Sequence, residues 1–350
     1  MAIRKIDSFD LYATANLTEG PFTSKMEAVG TASISSGSGR RGTKSLRIAN
    51  NKAFINRCTV RKTFDAQATW IVGFAFKPGN VASIGHDILS LRDVSTLQCD
   101  LGVDTNGKLV VSRNGTTLGT SSIAITSGVY NYIELKITIS NTVGVVQLRV
   151  NGVTEINLSN QDTQNSANAS ADQVWFGFDR VQTDGVVSFS DDYDDVYILD
   201  GTGGAPYNDF LGDSRVDALY PVSDQLAQWV PSTGTDHWAL VDESPPNTSD
   251  YVTESTVGDI DRFGFTDLPV LTSPVVRAVQ VAMYAQNPEG GARNIAATAL
   301  SNAVVLDGAT QALSLSFRYL YEIYTKNPDG TVDWTPTTVD AASFGAKVIT

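Results

Sequence analysis

The feature that most constrains this chain is an apolar period of two, interrupted by short turn pairs. Tyr132-Ile133-Glu134-Leu135-Lys136-Ile137-Thr138-Ile139 places Ile133, Leu135, Ile137 and Ile139 on one face, the alternation of a strand with one side buried. Trp70-Ile71-Val72-Gly73-Phe74-Ala75-Phe76-Lys77 is a short apolar run stopped by Pro78-Gly79, as a strand in a sandwich core requires. Three Asn-Gly pairs follow strand-like segments, at Asn106-Gly107, Asn114-Gly115 and Asn151-Gly152. Asn and Gly accept the positive φ of a type I′ turn, so each pair predicts a hairpin. Around the third pair, Val146, Leu148 and Val150 alternate on the way in, and Val153 and Ile156 lead out. Helical periodicity is limited to one turn at most, over Asp224–Trp229. The chain reads as all-β.

A length of 350 residues accommodates two or three domains, each able to bury its own core. Gly201-Thr202-Gly203-Gly204-Ala205-Pro206 breaks the strand pattern, because glycine loosens the chain and proline stops pairing. Residues 1–200 form the predicted first domain, 201–206 a linker, and 207–350 a second, smaller β domain. The second is loop-rich to about residue 274, with Pro221, Pro231, Pro245, Pro246 and Pro269. Strands resume at Val276–Tyr284, Ile295–Leu306 and Leu313–Tyr324, and Phe344–Ile349 reads as a closing strand. No segment repeats at a fixed period, which argues against a solenoid or propeller.

The net charge of −13, from 25 Lys and Arg against 38 Asp and Glu, disfavours phosphate-backbone binding, which depends on clustered cations. Nucleic acid is not an expected partner. The first seven residues lack the apolar core of a signal peptide, and no run approaches the roughly 18 apolar residues of a membrane span. The expectation is a soluble chain made in the cytosol. Cys58 and Cys99 lie in apolar or alternating stretches and read as buried reduced thiols, a disulfide or reactive thiol being the alternative. With no CxxC, no HExxH and only His86 and His237, a zinc site or histidine triad has little to be built from. Gly37-Ser38-Gly39-Arg40-Arg41-Gly42 matches GxGxxG but has no βαβ context, and reads as a flexible loop with two exposed arginines. Glycan hydrolysis needs two carboxyl groups roughly 5–10 Å apart. The eight glutamates (19, 27, 134, 155, 243, 254, 289 and 322) never fall within six residues of one another. Aspartate pairs could substitute but nothing singles one out, so catalysis is not expected, and a glycan hydrolase stands as the last of the alternatives.

The order of blocks carries a resemblance. Gly39–Ile48, Trp70–Lys77, Gly102–Val111, Tyr130–Ile139, Gln147–Val153 and Asp194-Asp195-Val196-Tyr197-Ile198 together resemble the laminin-G, or concanavalin A-like, jelly-roll sandwich over about residues 1–200. That implies two packed antiparallel sheets, one concave, in a superfamily of glycan binders, glycanases and structural modules. In the second half, Phe210–Val216, Trp229–Trp238, Asp250-Tyr251-Val252 and Lys326–Thr335 are similar to blocks in virion proteins of tailed bacteriophages. The resemblance implies a structural or host-contacting virion component, assembled in the bacterial cytoplasm. Its partners would be other virion proteins and further copies of itself, with threefold packing implied by the class. A receptor-binding module holding a host-surface glycan is the alternative.

Two sites follow. Asp191-Asp192-Tyr193-Asp194-Asp195 is the densest acidic cluster, and mutual repulsion would be relieved by a hard cation. Since laminin-G-like domains often hold calcium near the final strand, Asp191, Asp192 and Asp194 are candidate Ca²⁺ ligands; the alternative is a solvated loop. Trp229, Trp238 and Tyr251, with His237, Asp236 and Asp250 nearby, are candidate stacking platforms for a sugar. Their alternative role is to pin a long loop onto its own domain. Trp70 and Trp175 are expected in the core, and Trp334 in packing behind the Asp329-Gly330 turn.

Overall fold

The computed structural model describes all residues except 1–2, 29, 51–56, 82–84 and 180–188. It divides into two compact units, Met1–Val216 and Asp217–Thr350. No helix is long and apolar enough to cross a membrane.

The first unit contains strands β1 (Ile3–Asp7), β2 (Ser24–Glu27), β3 (Thr31–Ser36), β4 (Lys44–Asn50) and β5 (Cys58–Gln67). These are followed by β6 (Thr69–Lys77), β7 (His86–Asp93), β8 (Thr96–Val103), β9 (Lys108–Arg113) and β10 (Thr116–Ala124). The series ends with β11 (Asn131–Thr138), β12 (Gly144–Val150), β13 (Val153–Gln161), β14 (Ala171–Phe178) and β15 (Phe189–Leu199). An eight-stranded sheet runs β13-β12-β11-β6-β15-β4-β3, with β1 also on β15, and a seven-stranded sheet runs β10-β9-β8-β7-β14-β5-β2. This is the expected antiparallel sandwich. Phe74 and Phe76 of one sheet meet Phe176 of the other around Tyr193, all fully buried. Each such ring contributes about 1.5–3 kcal/mol by leaving water.

All three Asn-Gly pairs sit in β-hairpins, by two mechanisms. Asn114 and Gly115 (φ 42° and 88°) and Asn151 and Gly152 (φ 51° and 80°) have both residues left-handed, as type I′ requires. At the other, only Gly107 is left-handed. There the Asp104 carboxylate accepts the amides of Asn106 and Lys108, so an aspartate-capped loop closes the hairpin. Cys58 and Cys99 are buried free thiols, both pushed up to about 12 by desolvation, which keeps them in the unreactive thiol form.

The second unit contains β16 (Pro221–Ala227), β17 (Val230–Pro231), β18 (Val252–Thr253), β19 (Ile260–Phe265) and β20 (Val279–Ala285). It continues with β21 (Asn294–Ser301), β22 (Val304–Asp307), β23 (Gln311–Ala312), β24 (Arg318–Tyr324), a one-turn α1 (Pro336–Asp340) and β25 (Ser343–Val348). The main sheet runs β16-β19-β25-β21-β22, with β23 on β21, while β17–β18 and β20–β24 form two-stranded ribbons. Asp224–Ala227, the one stretch with a possible helical turn, is extended instead, because pairing with β19 outweighs local preference. The predicted closing strand is the centre of the sheet, with β19 on one side and β21 on the other. Trp334 is core, as expected, and donates its indole N–H to the Tyr324 carbonyl at 3.0 Å.

Candidate functional site

The acidic run lies in strand β15 and is buried, so the solvated-loop alternative does not hold. Strand alternation separates its side chains. Asp191 points inward with Tyr193; its Oδ2 lies 2.6 Å from His86 Nε2 and its Oδ1 accepts the Gly79 amide at 3.0 Å. Asp192 points outward and is bound by Arg47 at 2.8 Å and Lys77 at 2.9 Å. Asp194 accepts the backbone amides of Arg40 and Asp195, at 2.7 and 2.8 Å. The three candidate calcium ligands are therefore not brought together, and each carboxylate is committed to protein donors. Among the described residues no group of three His, Cys, Asp or Glu side chains could hold a metal. The residues do not fit Ca²⁺.

A bulge completes this arrangement. The register of β15 on β6 slips between Asp194 and Tyr197, and Asp195 is left-handed at φ 49°, a conformation that aspartate tolerates. The slip aims the Asp195 carboxylate at Arg41, at 2.5 and 2.7 Å. Arg40 meanwhile grips Asp213 through both terminal nitrogens, at 2.5 and 2.6 Å. The two arginines read as exposed loop residues are thus clamps. Their partners lie more than 150 positions away, so no local signal revealed them.

Asp213 belongs to a segment, residues 207–216, that covers the outer face of the eight-stranded sheet. Since Ile133, Leu135 and Ile137 face inward, Tyr132, Glu134 and Lys136 face out. Gly73 leaves room for the Tyr197 ring, which a side chain there would strike. Glu134 Oε1 accepts the Tyr197 hydroxyl at 2.5 Å and the Gly212 amide at 2.8 Å. Lys136 reaches Asp209 at 3.2 Å, Arg149 stacks on Phe210 at 4.5 Å, and Asp195 accepts the Val216 amide at 2.9 Å. The segment is a strap of the first unit, which places the unit boundary after residue 216 instead of within 201–206.

The outer face of the seven-stranded sheet differs. Val174, Phe176 and Phe178 face the core, so Gln173 and Trp175 face away from it. A register row crosses the sheet on this side: Ser112, Asp100, Ser90, Trp175, Arg61 and Ser24 on β9, β8, β7, β14, β5 and β2. Although they point away from the core, Asp100 is 2% exposed, Ser90 4% and Trp175 5%. The row is therefore closed to solvent on this side of the sheet as well. Arg61 and Arg92, from the strands on either side, place their guanidinium carbons 3.7 and 4.0 Å from the Trp175 ring centroid. Trp175 is thus buried as expected, but on the outside of the sheet as a cation–π platform. Arg92 and Arg57 pair with Asp179. Arg61 donates only to Thr59 Oγ1 and Met26 Sδ, and among the described residues no carboxylate lies within ion-pair reach of it. Burial pushes the pKa of Arg61 and Arg92 down, against the opposing pull of Asp179.

In the second unit two aspartates fix the candidate sugar-binding loop. Asp261 accepts the amides of Gln228 and Trp229 and lies 2.7 Å from His237 Nδ1. Asp224 accepts the amides of His237 and Trp238. Trp229 packs against the core and donates to the Asp259 carbonyl, so it pins the loop. Tyr251 is 47% exposed, beside Ser232, with which it exchanges hydrogen bonds. No ring contact joins Trp229, Trp238 and Tyr251, so the structure does not assemble them into one platform.

No family model matches the chain, and no curated protein matches it. Solved structures share the fold of part of it. A sialidase aligns at TM-score 0.43 and 12% identity over 56% of this chain, which spans only 18% of the sialidase. The alginate lyase Aly36B aligns at TM-score 0.40 and 15% identity over 55% of this chain and 95% of its own. An alginate lyase from Corynebacterium sp. aligns at TM-score 0.34 and 9% identity, over 44% and 76% of the two chains. At these identities the likeness is one of β-sandwich fold alone.

Proposed function

We propose that the chain is a structural component of a tailed-bacteriophage virion, a two-unit β scaffold that decorates the capsid or attaches to the tail by binding neighbouring subunits, without catalysis. One observation carries this reading: the outer face of the eight-stranded sheet is covered by the chain's own strap and is charge-matched. Asp192, Asp195 and Asp213 meet Arg47, Arg41 and Arg40 respectively. A hydrolytic carboxyl pair needs open space for substrate between its members, whereas a rigid scaffold gains from closing such a face. The virion-like blocks in the second half of the sequence supply the context.

A second reading, receptor binding through a host-surface glycan, draws on the half-buried Arg61 stacked on Trp175, on the sheet that the strap leaves alone. Immunogold labelling or cryo-EM of the particle separates the two. Regular copies over the head or along the tail are expected for the scaffold, and a few copies at the tail tip for the receptor-binding module. Absence from purified particles overturns the virion assignment.

A further inference from the structure

The main sheet of the second unit ends differently at its two edges. Strand β16 begins with Pro221, and its Asp224 accepts the amides of His237 and Trp238, which lays the Trp238–Leu240 turn alongside it. Strand β22, at the other edge, pairs only with β21. Its turn residues, Asn302 and Ala303, are both left-handed, at φ 51° and 63°, and the two-residue hairpin sets Ser301 opposite Val304. Ladder bonds alternate from that pair, and Gly308 donates to the Ala297 carbonyl at 2.7 Å in the same phase. Val304 and Leu306 therefore bond to β21, while the N–H and C=O groups of Val305 and Asp307 point off the edge of the sheet. Val304, Val305 and Leu306 are 38%, 48% and 38% exposed. The strand contains no proline, lysine or bulge of the kind that keeps an edge from pairing. Its one charge, Asp307, is met by Lys347 at 2.6 Å.

We propose that β22 is an interface between copies of this chain: two β22 strands pair antiparallel about a twofold axis and join their sheets into one. The strand is its own complement, as such an interface requires. In the register centred on Leu306, Val305 exchanges two backbone hydrogen bonds with Asp307 of the second copy, and Asp307 two with its Val305. Every outward group of the strand is then satisfied. The register centred on Asp307 would set two carboxylates opposite each other, and the one centred on Val305 would leave Asp307 opposite the turn. With Leu306 on the axis, the two leucines meet beside a groove of about 260 Å³ bounded by Leu306, Ile323 and Tyr324 with Asp307, Glu322 and Lys326. Leu306 lies opposite the core residue Ala299, so the second leucine extends that side of the sheet. Four residues per copy cover well under the roughly 1,200 Å² of a stable dimer. The contact is therefore weak in dilute protein and effective where copies are held close together. This inference rests on the scaffold reading for that crowding and names the surface the copies share.

The test is sedimentation velocity of the full chain up to about one millimolar, joined to cysteine cross-linking. The dimer fraction is expected to rise with protein concentration. It should also rise with salt, because each copy carries a net charge of −13 and screening lowers their repulsion. Val305→Pro removes an outward amide without breaking the ladder to β21, and Val305→Lys puts a charge on the edge. Each is expected to weaken dimerisation at least about tenfold while the melting temperature stays close to wild type; should the proline variant not fold, the lysine variant decides. Leu306→Cys tests the register. A non-hydrogen-bonded antiparallel pair brings Cα atoms to roughly 4.5 Å, within disulfide range, so this variant should cross-link to itself under mild oxidation. Val304→Cys is equally exposed but lies opposite Gly308 of the second copy, and should cross-link at least about tenfold more slowly. Cys58 and Cys99 are buried and add no background. The proposal is overturned by a protein that stays monomeric at the highest concentration, by association that salt weakens, by undiminished dimerisation in the Val305 variants, or by equal cross-linking at 304 and 306. Dimers of a protein missing from the particle would overturn the virion reading alone; a particle-bound protein that fails these tests would overturn only this inference.

Discussion

Asp194 shows how a single side chain can tie the stability of this sandwich to pH. It has no accessible surface, and burial first, then the neighbouring Asp195, push its carboxyl up to about 7, against the lowering effect of two backbone amides. Asp10 adds to the rise, while Arg40 and Arg41 are directed at Asp195 and Asp213. The unfolded chain releases this proton near pH 4 and the folded chain holds it to about 7. Asp194 therefore contributes most to stability below pH 4, and that contribution declines as pH rises from 4 to 7, at about 1.4 kcal/mol per unit. Asp194→Asn removes the declining part. Its amide nitrogen cannot accept the second backbone N–H, so the variant is expected to start below wild type near pH 4, but its melting temperature is expected to fall less between pH 4 and pH 8, as measured by thermal denaturation across that range. Parallel pH profiles for the two proteins would refute the assignment. The acidity of the run was legible in the sequence, but its neutralisation was not: Arg40, Arg41 and Arg47 lie about 150 positions earlier, and only the sheet order brings them to β15.

At the scale of elements, the strap and strand β25 make separate demands. The strap contributes a bidentate Arg40–Asp213 pair, amide bonds to Glu134 and Asp195, and the Phe210–Arg149 stack. Its removal exposes Tyr132, Glu134 and Tyr197 together. A chain of residues 1–206 should melt at least about 4 °C below one of residues 1–216, since a few kcal/mol shifts a domain of this size by at least that much. Equal melting would show the strap to be passive. Strand β25 pairs with β21 over its whole length and with β19 over residues 343–347, and its Phe344 packs against Phe265 and Trp334. Deleting residues 338–350 is expected to abolish folding of the second unit, seen as loss of its thermal transition while the first unit's remains; an unchanged melting profile would contradict the central placement. Hairpins joined by Asn-Gly were readable because the turn chemistry is local. Strand β16 was not, since its pairing with β19 is set by residues about 40 positions on. Nor was the strap, whose composition of Gly, Asp and Ser resembles a linker until Glu134 and Arg40 are in place to receive it.

For the whole molecule, the two units fold around separate cores. All strands of both sandwich sheets lie within Met1–Val216. The strand that closes the sandwich is assembled from the extremes of the unit: Ile3 pairs with Leu199 and Asp7 with Val196. The unit therefore has to be essentially complete before it folds, and such long-range pairing folds slowly. Once complete, it has its own aromatic core and needs no residue beyond 216 to close either sheet. A fragment of residues 1–216 is thus expected to fold cooperatively, with a thermal transition within a few degrees of the one the same unit shows in the full chain. Differential scanning calorimetry of the fragment beside the full chain decides the matter: a non-cooperative or strongly lowered transition would show that the sandwich depends on residues beyond 216.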